Sequence, residues 1–163
     1  MILLAMAGHT ASSAATAGPS APAPRLAAEA VHGRSTLGAT GWKVLSSATA
    51  GQSGQISTPG FNTSSWLSVT PDDAGAPGTE ITALLQNGKC PNVFYADNMK
   101  TCFGVQKKTG PETVPQFMVP WWYRTDFAPD LQSGQTASLV VNGIVGQADV
   151  WVNGKEVATQ VRT

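Results

Sequence analysis

Beyond residue 41 the apolar positions fall in short β-type runs separated by turn signals. Trp42-Lys43-Val44-Leu45 is one such run, and Ser65-Trp66-Leu67-Ser68-Val69 is a second that stops at Pro71-Asp72-Asp73. The run from Val119 to Phe127 is the most informative. A period of two puts Val119, Trp121, Tyr123 and Phe127 on one face and Trp122, Arg124 and Asp126 on the other. That pattern predicts a half-buried antiparallel strand, with Pro120 near its start where a missing N–H is tolerated. Ala137 to Val141 predicts another strand. Ala148-Asp149-Val150-Trp151-Val152 and Lys155-Glu156-Val157-Ala158 flank Asn153-Gly154. Asn-Gly between such runs signals a hairpin, because a type I′ turn needs positive φ at both central positions. One short helix is expected near 79–87. Thr79 is its N-cap, Ile81, Leu84 and Leu85 have helical spacing, and Asn87-Gly88 is the stop. Short strands with one short helix predict an all-β sandwich.

The first 40 residues have a different texture. They hold twelve Ala, three charged side chains and no aromatic residue. Residues 1–7, MILLAMA, are apolar; an Ala/Ser/Thr tract follows, with Ala15-Thr16-Ala17 as an A-x-A-like cleavage site. Residues 1–23 therefore resemble a secretory signal running into low-complexity sequence, although a positive n-region is missing. Residues 24–41 read as a linker and 42–163 as the folded domain. The expectation is an exported, extracellular protein; the alternative is a low-complexity tail on an intracellular one.

Charge narrows the partners. Ten Lys+Arg balance ten Asp+Glu, and charged residues make up only 12% of the chain. Nothing basic is clustered, so nucleic acid and anionic membranes lack an electrostatic footprint. No apolar run approaches the ~20 residues of a membrane span. Both histidines, His9 and His32, lie in the head. A Ser-His-Asp or Cys-His site, or a His-ligated metal, is thus excluded from 42–163. No cofactor is expected, and the scattered acidic residues have no EF-hand-like spacing. Cys90 and Cys102 enclose eleven residues and fit neither CxxC nor a zinc site. In an exported chain they pair, contributing on the order of 2–3 kcal/mol; in a cytosolic one they stay reduced. Asp72-Asp73 sits in a turn, and Asp126 shares a strand face with Arg124, so both read as structural.

Read in order, four stretches carry a family resemblance. They are Pro59 to Trp66 with Val69 and Pro71-Asp72-Asp73; Leu84 to Gly88 running on to Phe94-Tyr95-Ala96-Asp97-Asn98-Met99; Val119 to Phe127; and Asn142-Gly143-Ile144 with Ala148 to Gly154 and Val157-Ala158. Together they resemble the N-terminal sugar-binding-like domain of glycoside hydrolase family two. The exo-β-D-glucosaminidase (exochitosanase) branch is nearest and β-mannosidases are next.

The resemblance implies a jelly-roll, galactose-binding-like β-sandwich, incomplete at its C-terminal end. It also implies a parent enzyme whose catalytic glutamate pair belongs to a separate barrel, since retaining hydrolysis needs two carboxyl groups ~5–5.5 Å apart. No catalytic residue is therefore assigned to this chain, which should be inactive alone. The expected ligand is a glucosamine-containing oligosaccharide, met through the whole enzyme. The loop bearing Tyr95, Asp97 and Asn98 resembles the family loop that reaches toward the substrate pocket. Aromatic faces with planar hydrogen-bonding groups suit sugars. The alternative is a disulfide-pinned loop that packs on the barrel without touching sugar. Trp42, Trp66 and Trp121 read as core. Trp122 faces away from Val119, Trp121 and Tyr123 and is a candidate domain-interface residue, with a covering loop or sugar stacking as alternatives; Trp151 poses the same question. A free-standing carbohydrate-binding module of the same fold is the competing function.

Overall fold

The computed structural model describes residues 2–8, 37, 41–51, 54–70, 78–98, 102, 116–129, 137–141 and 143–162. Asp72-Asp73, His9, His32 and most of the head lie outside the described residues. The strands are β1 (Ile2–Gly8), β2 (Trp42–Ser46), β3 (Leu67–Val69), β4 (Trp121–Phe127), β5 (Ala148–Val152) and β6 (Lys155–Val161). Helical segments are short: one turn, α1 (Ser47–Ala50), a 3-10 turn at Gly54–Ser57, α2 (Glu80–Gln86) and a 3-10 turn at Gln116–Met118. Among the described residues the regular structure is mostly strand, consistent with the expected galactose-binding-like β-sandwich class.

All six strands join one open sheet in the order β3-β2-β4-β1-β5-β6. The pairs β2–β3, β2–β4 and β5–β6 are antiparallel. β1 runs parallel to both neighbours, with Leu4 opposite Tyr123 on one side and Val150 on the other. Ile2–Gly8, within the signal-like stretch 1–23 and outside the domain expected at 42–163, forms a strand of this sheet. Its apolar composition suits a leader and a buried strand alike, and the pairing with β4 and β5 is long-range.

β4 alternates as its sequence requires. Trp121 and Tyr123 enter a core with Trp42, Val44, Val69, Ala83 and Leu84, and Phe127 packs on it. Trp122 points into a second cluster with Ile56 and Trp66. The strand is not half-buried, however: Trp121 through Thr125 are all buried. The chain around 54–66 covers the second face, a long-range packing that strand periodicity does not encode. Ala137–Val141 is irregular and largely exposed, not a strand. Its β-type composition finds no ladder partner among the described residues, and Leu139 and Val140 face solvent.

α2 has both expected ends. The Thr79 hydroxyl accepts from the Thr82 N–H at 3.3 Å. Gly88 takes φ of 63°, and the N–H groups of Gly88 and Lys89 donate to the Leu85 and Leu84 carbonyls at 3.1 and 2.8 Å. That is a Schellman closure, for which a glycine at the left-handed position is the natural residue. Asn87 Nδ2 donates at 2.7 Å to both Ala83 O and Ser68 O, tying the helix end to β3. Asn153 and Gly154 have φ of 51° and 84°, so the β5–β6 hairpin turns as the Asn-Gly pair predicts.

Candidate functional site: the loop after α2

The Schellman closure ends α2 and delivers Cys90 into the core. Cys90 and Cys102 form a disulfide with Cα atoms 5.2 Å apart. Both cysteines and Val93 are buried in the main core cluster, so the intervening loop is held at its base. Asn92 organises the rise. Its Oδ1 accepts from the Phe94 N–H at 3.0 Å, an Asx-turn, and its carbonyl accepts from the Tyr95 N–H at 3.1 Å. Ala96 then adopts φ of 46°, reversing the chain, and the Asn98 N–H donates to Tyr95 O at 3.1 Å. Asn98 Nδ2 donates back to Asn92 O at 2.9 Å and closes the loop.

The outcome is a rigid base with a projecting tip. Phe94 is 91% and Tyr95 72% exposed. Asp97 is exposed and Asn98 half-buried. The structure therefore brings Tyr95, Asp97 and Asn98 onto one short loop but divides their work. Tyr95 offers an aromatic face to solvent, and Asp97 is an exposed acidic residue beside it. Asn98 spends its amide hydrogens on the loop itself and acts as a positioning residue. Phe94, the most exposed aromatic among the described residues, belongs to the same motif but was not among the expected sugar-proximal residues. Its signal was the Asx-turn at Asn92, which buries Val93 and turns the next two side chains outward. An aromatic tip with one carboxylate can grip a polar ring; cleaving a glycosidic bond takes a pair of carboxyl groups.

Trp122 offers no surface. It is 1% exposed, its Nε1 donates to Gly51 O at 2.8 Å, and its ring meets Trp151 edge-to-face at 6.5 Å. Of the alternatives, the covering loop is the one present, with Ile56, Phe61 and Trp66 around it. Gly51 presents that carbonyl because φ of 74° ends α1, whose other end is capped by the Ser46 hydroxyl. Arg124 is 2% exposed. Its Nε donates to Ile56 O at 2.8 Å and its Nη2 to Thr58 O at 3.1 Å. Its fork also engages Asp126, with Nη1 donating to Oδ2 at 2.6 Å and Nη2 to Oδ1 at 2.9 Å. Arg124 and Asp126 are thus structural, pinning the 54–58 stretch to β4. On the opposite face, the Tyr123 hydroxyl donates to Glu80 Oε2 at 3.3 Å. Burial pushes the Tyr123 phenol well above its ordinary range, and the neighbouring Glu80 carboxylate pushes it further. Among the described residues no group of three or more His, Cys, Asp or Glu could hold a metal ion. No described helix is long and apolar enough to cross a membrane.

Comparison with known proteins gives these elements a family. Residues 57–162 match the domain family described as glycosyl hydrolase 2 galactose-binding domain-like. The exo-beta-D-glucosaminidase of Amycolatopsis orientalis is 39% identical over 150 residues, 89% of this chain and 13% of that protein. That of Streptomyces avermitilis is 34% identical over 140 residues, 84% of this chain and 14% of that protein. The crystal structure of the A. orientalis exo-chitosanase CsxA superimposes with a TM-score of 0.54 at 38% identity, covering 76% of this chain and 13% of that one. In these carbohydrate-active relatives the matching domain is one part of a much longer chain. This chain belongs to the galactose-binding-like domain family of glycosyl hydrolase family 2.

Proposed function

We propose that this chain is the N-terminal domain of an exported exo-β-D-glucosaminidase acting on chitosan oligosaccharides from the non-reducing end. The domain scaffolds a catalytic barrel and lends the 92–98 loop to its substrate pocket. One observation carries the reading: identity of 39% to such an enzyme over 89% of this chain. The loop geometry supports the second half of it. A disulfide-held base and an aromatic tip suit a wall contributed from one domain to another's pocket, with Tyr95 against a sugar face and Asp97 toward a hydroxyl or amine.

Two measurements test this. An antibody to residues 110–116, applied to culture supernatant, should detect a band several-fold above the 16.9 kDa of this chain. A stable band near that mass would instead favour a free-standing carbohydrate-binding module. In the full-length enzyme, Tyr95→Ala should lower kcat/KM for a chitosan oligomer by about tenfold, the worth of one aromatic contact, and leave the melting temperature unchanged. Unchanged kinetics would leave the loop as a packing element only.

A further inference from the structure

The tip of the 92–98 loop has a definite shape that burial does not give it. Phe94, Tyr95, Ala96 and Asp97 are four consecutive exposed residues. Beneath them the core takes Cys90, Val93 and Cys102, so packing and the disulfide fix the base and stop at residue 93. An exposed tip held only at its base is ordinarily among the least stable parts of a fold.

Hydrogen bonds to Asn92 take over where packing stops. The Asn92 side chain accepts from the Phe94 N–H at 3.0 Å. Its carbonyl accepts from the Tyr95 N–H at 3.1 Å and from Asn98 Nδ2 at 2.9 Å. One residue thus holds both aromatic positions as the chain rises and Asn98 as it returns.

These bonds act on a backbone that resists the turn. Ala96 stands at φ of 46°, the left-handed region that a Cβ disfavours and a glycine takes freely. Strain of this kind persists only where neighbouring contacts over-determine it, and it collects at ligand-binding loops. Ala96 sits inside such a bonded ring. The Tyr95 carbonyl on one side accepts from the Asn98 N–H at 3.1 Å, and the Asn98 side chain on the other returns to Asn92.

We infer that Asn92 is a positioning residue for sugar recognition: its hydrogen bonds to Phe94, Tyr95 and Asn98 set the angle at which the Tyr95 ring meets the substrate. The inference rests on the proposed role of this loop at a substrate pocket. Asn92 acts through Tyr95 and not by contact with sugar. It reduces the ordering that binding would otherwise require of the tip. Its removal therefore weakens binding of substrate and transition state alike, which raises KM and leaves kcat in place.

The test is a double-mutant cycle in the full-length enzyme with a chitosan oligomer as substrate. Asn92→Ala deletes the side-chain acceptor and leaves the two carbonyl bonds. It should raise KM by about three- to tenfold, the worth of one hydrogen bond, with kcat unchanged. Asn92→Asp keeps an accepting oxygen and should return KM to within about twofold of the unmodified enzyme. In a Tyr95→Ala background, Asn92→Ala should change KM by less than about twofold, because the ring it positions is gone. A full rise in KM in that background, or failure of Asn92→Asp to restore KM, overturns the inference. So does an Asn92→Ala enzyme with unchanged kinetics beside a Tyr95→Ala enzyme with lowered kcat/KM; the loop then meets substrate without help from Asn92. If neither substitution alters the kinetics, the substrate-pocket role of the loop fails and the inference falls with it. Should Asn92→Ala not fold, Asn98→Ala, which removes the side-chain bond to the same carbonyl, takes its place in the cycle. The same coupling to Tyr95→Ala is expected, and additivity overturns the inference.

Discussion

Arg124 shows what a single side chain can hold when it is buried with every donor placed. Its guanidinium joins two carbonyls of the 54–58 stretch to the Asp126 carboxylate of its own strand. Arg124→Ala strands those acceptors and opens a cavity, so it should cost about 3 kcal/mol or more in a urea melt. Arg124→Lys should recover little, since an ammonium lacks the planar fork. Asp126 is 49% exposed, and Asp126→Asn should cost no more than about 1 kcal/mol. Tyr123 makes a prediction in pH. Its folded-state phenol titrates above the unfolded one, so its stabilising contribution is full below pH ~10. Above that, the unfolded chain ionises while the folded chain keeps its proton. Stability should then fall by up to about 1.4 kcal/mol per pH unit. Melting curves between pH 8 and 11 should show this decline, and Tyr123→Phe should flatten it. The exposed loop residues were readable from sequence as sugar-suited types. The inward bond of Asn98 was not, because it depends on a carbonyl six residues away.

Among the elements, those with local punctuation were legible. Thr79 and Asn87-Gly88 bracket α2, Asn153-Gly154 turns the hairpin, and Pro120 precedes β4 by one residue. Each depends on a backbone preference acting within a few positions. The 137–141 segment shows the limit of that evidence: β-type composition without a partner leaves a strand unformed. The covering of Trp122 was equally hidden, since it joins residues about 60 positions apart. The contact between the 54–57 turn and the β5–β6 hairpin is tight as well as distant. A Cβ on Gly54 would lie 2.7 Å from Gly154 O and 2.8 Å from the Trp151 ring. Gly54→Ala should therefore destabilise by about 1–3 kcal/mol through overpacking. Thermal denaturation checks this, with exposed Gly143, where a Cβ meets nothing, as the control site for the same change.

For the whole molecule, the sheet depends on a strand that composition and periodicity assign to the head. Deleting residues 2–8 would expose two strand edges at once, and such edges template association. Light scattering of the deleted chain should show aggregation at concentrations where the full chain stays dispersed. Fold class and family were legible because four motif stretches kept their order along the chain. The position of Ile2–Gly8 was not legible, because its partners lie more than 110 residues away.

That separation also sets an order in time. The heptapeptide leaves the ribosome well before both of its partner strands, β4 and β5. At ~5–20 residues per second, Val152 is made roughly 7–30 s after Gly8. Throughout that interval an apolar N-terminus has no sheet to join and is open to any factor that binds such segments. The sheet closes the interval by its own completion. Slower translation of the intervening chain therefore lengthens the period in which the N-terminus can be captured, and faster translation shortens it, with no change in the sequence of either strand.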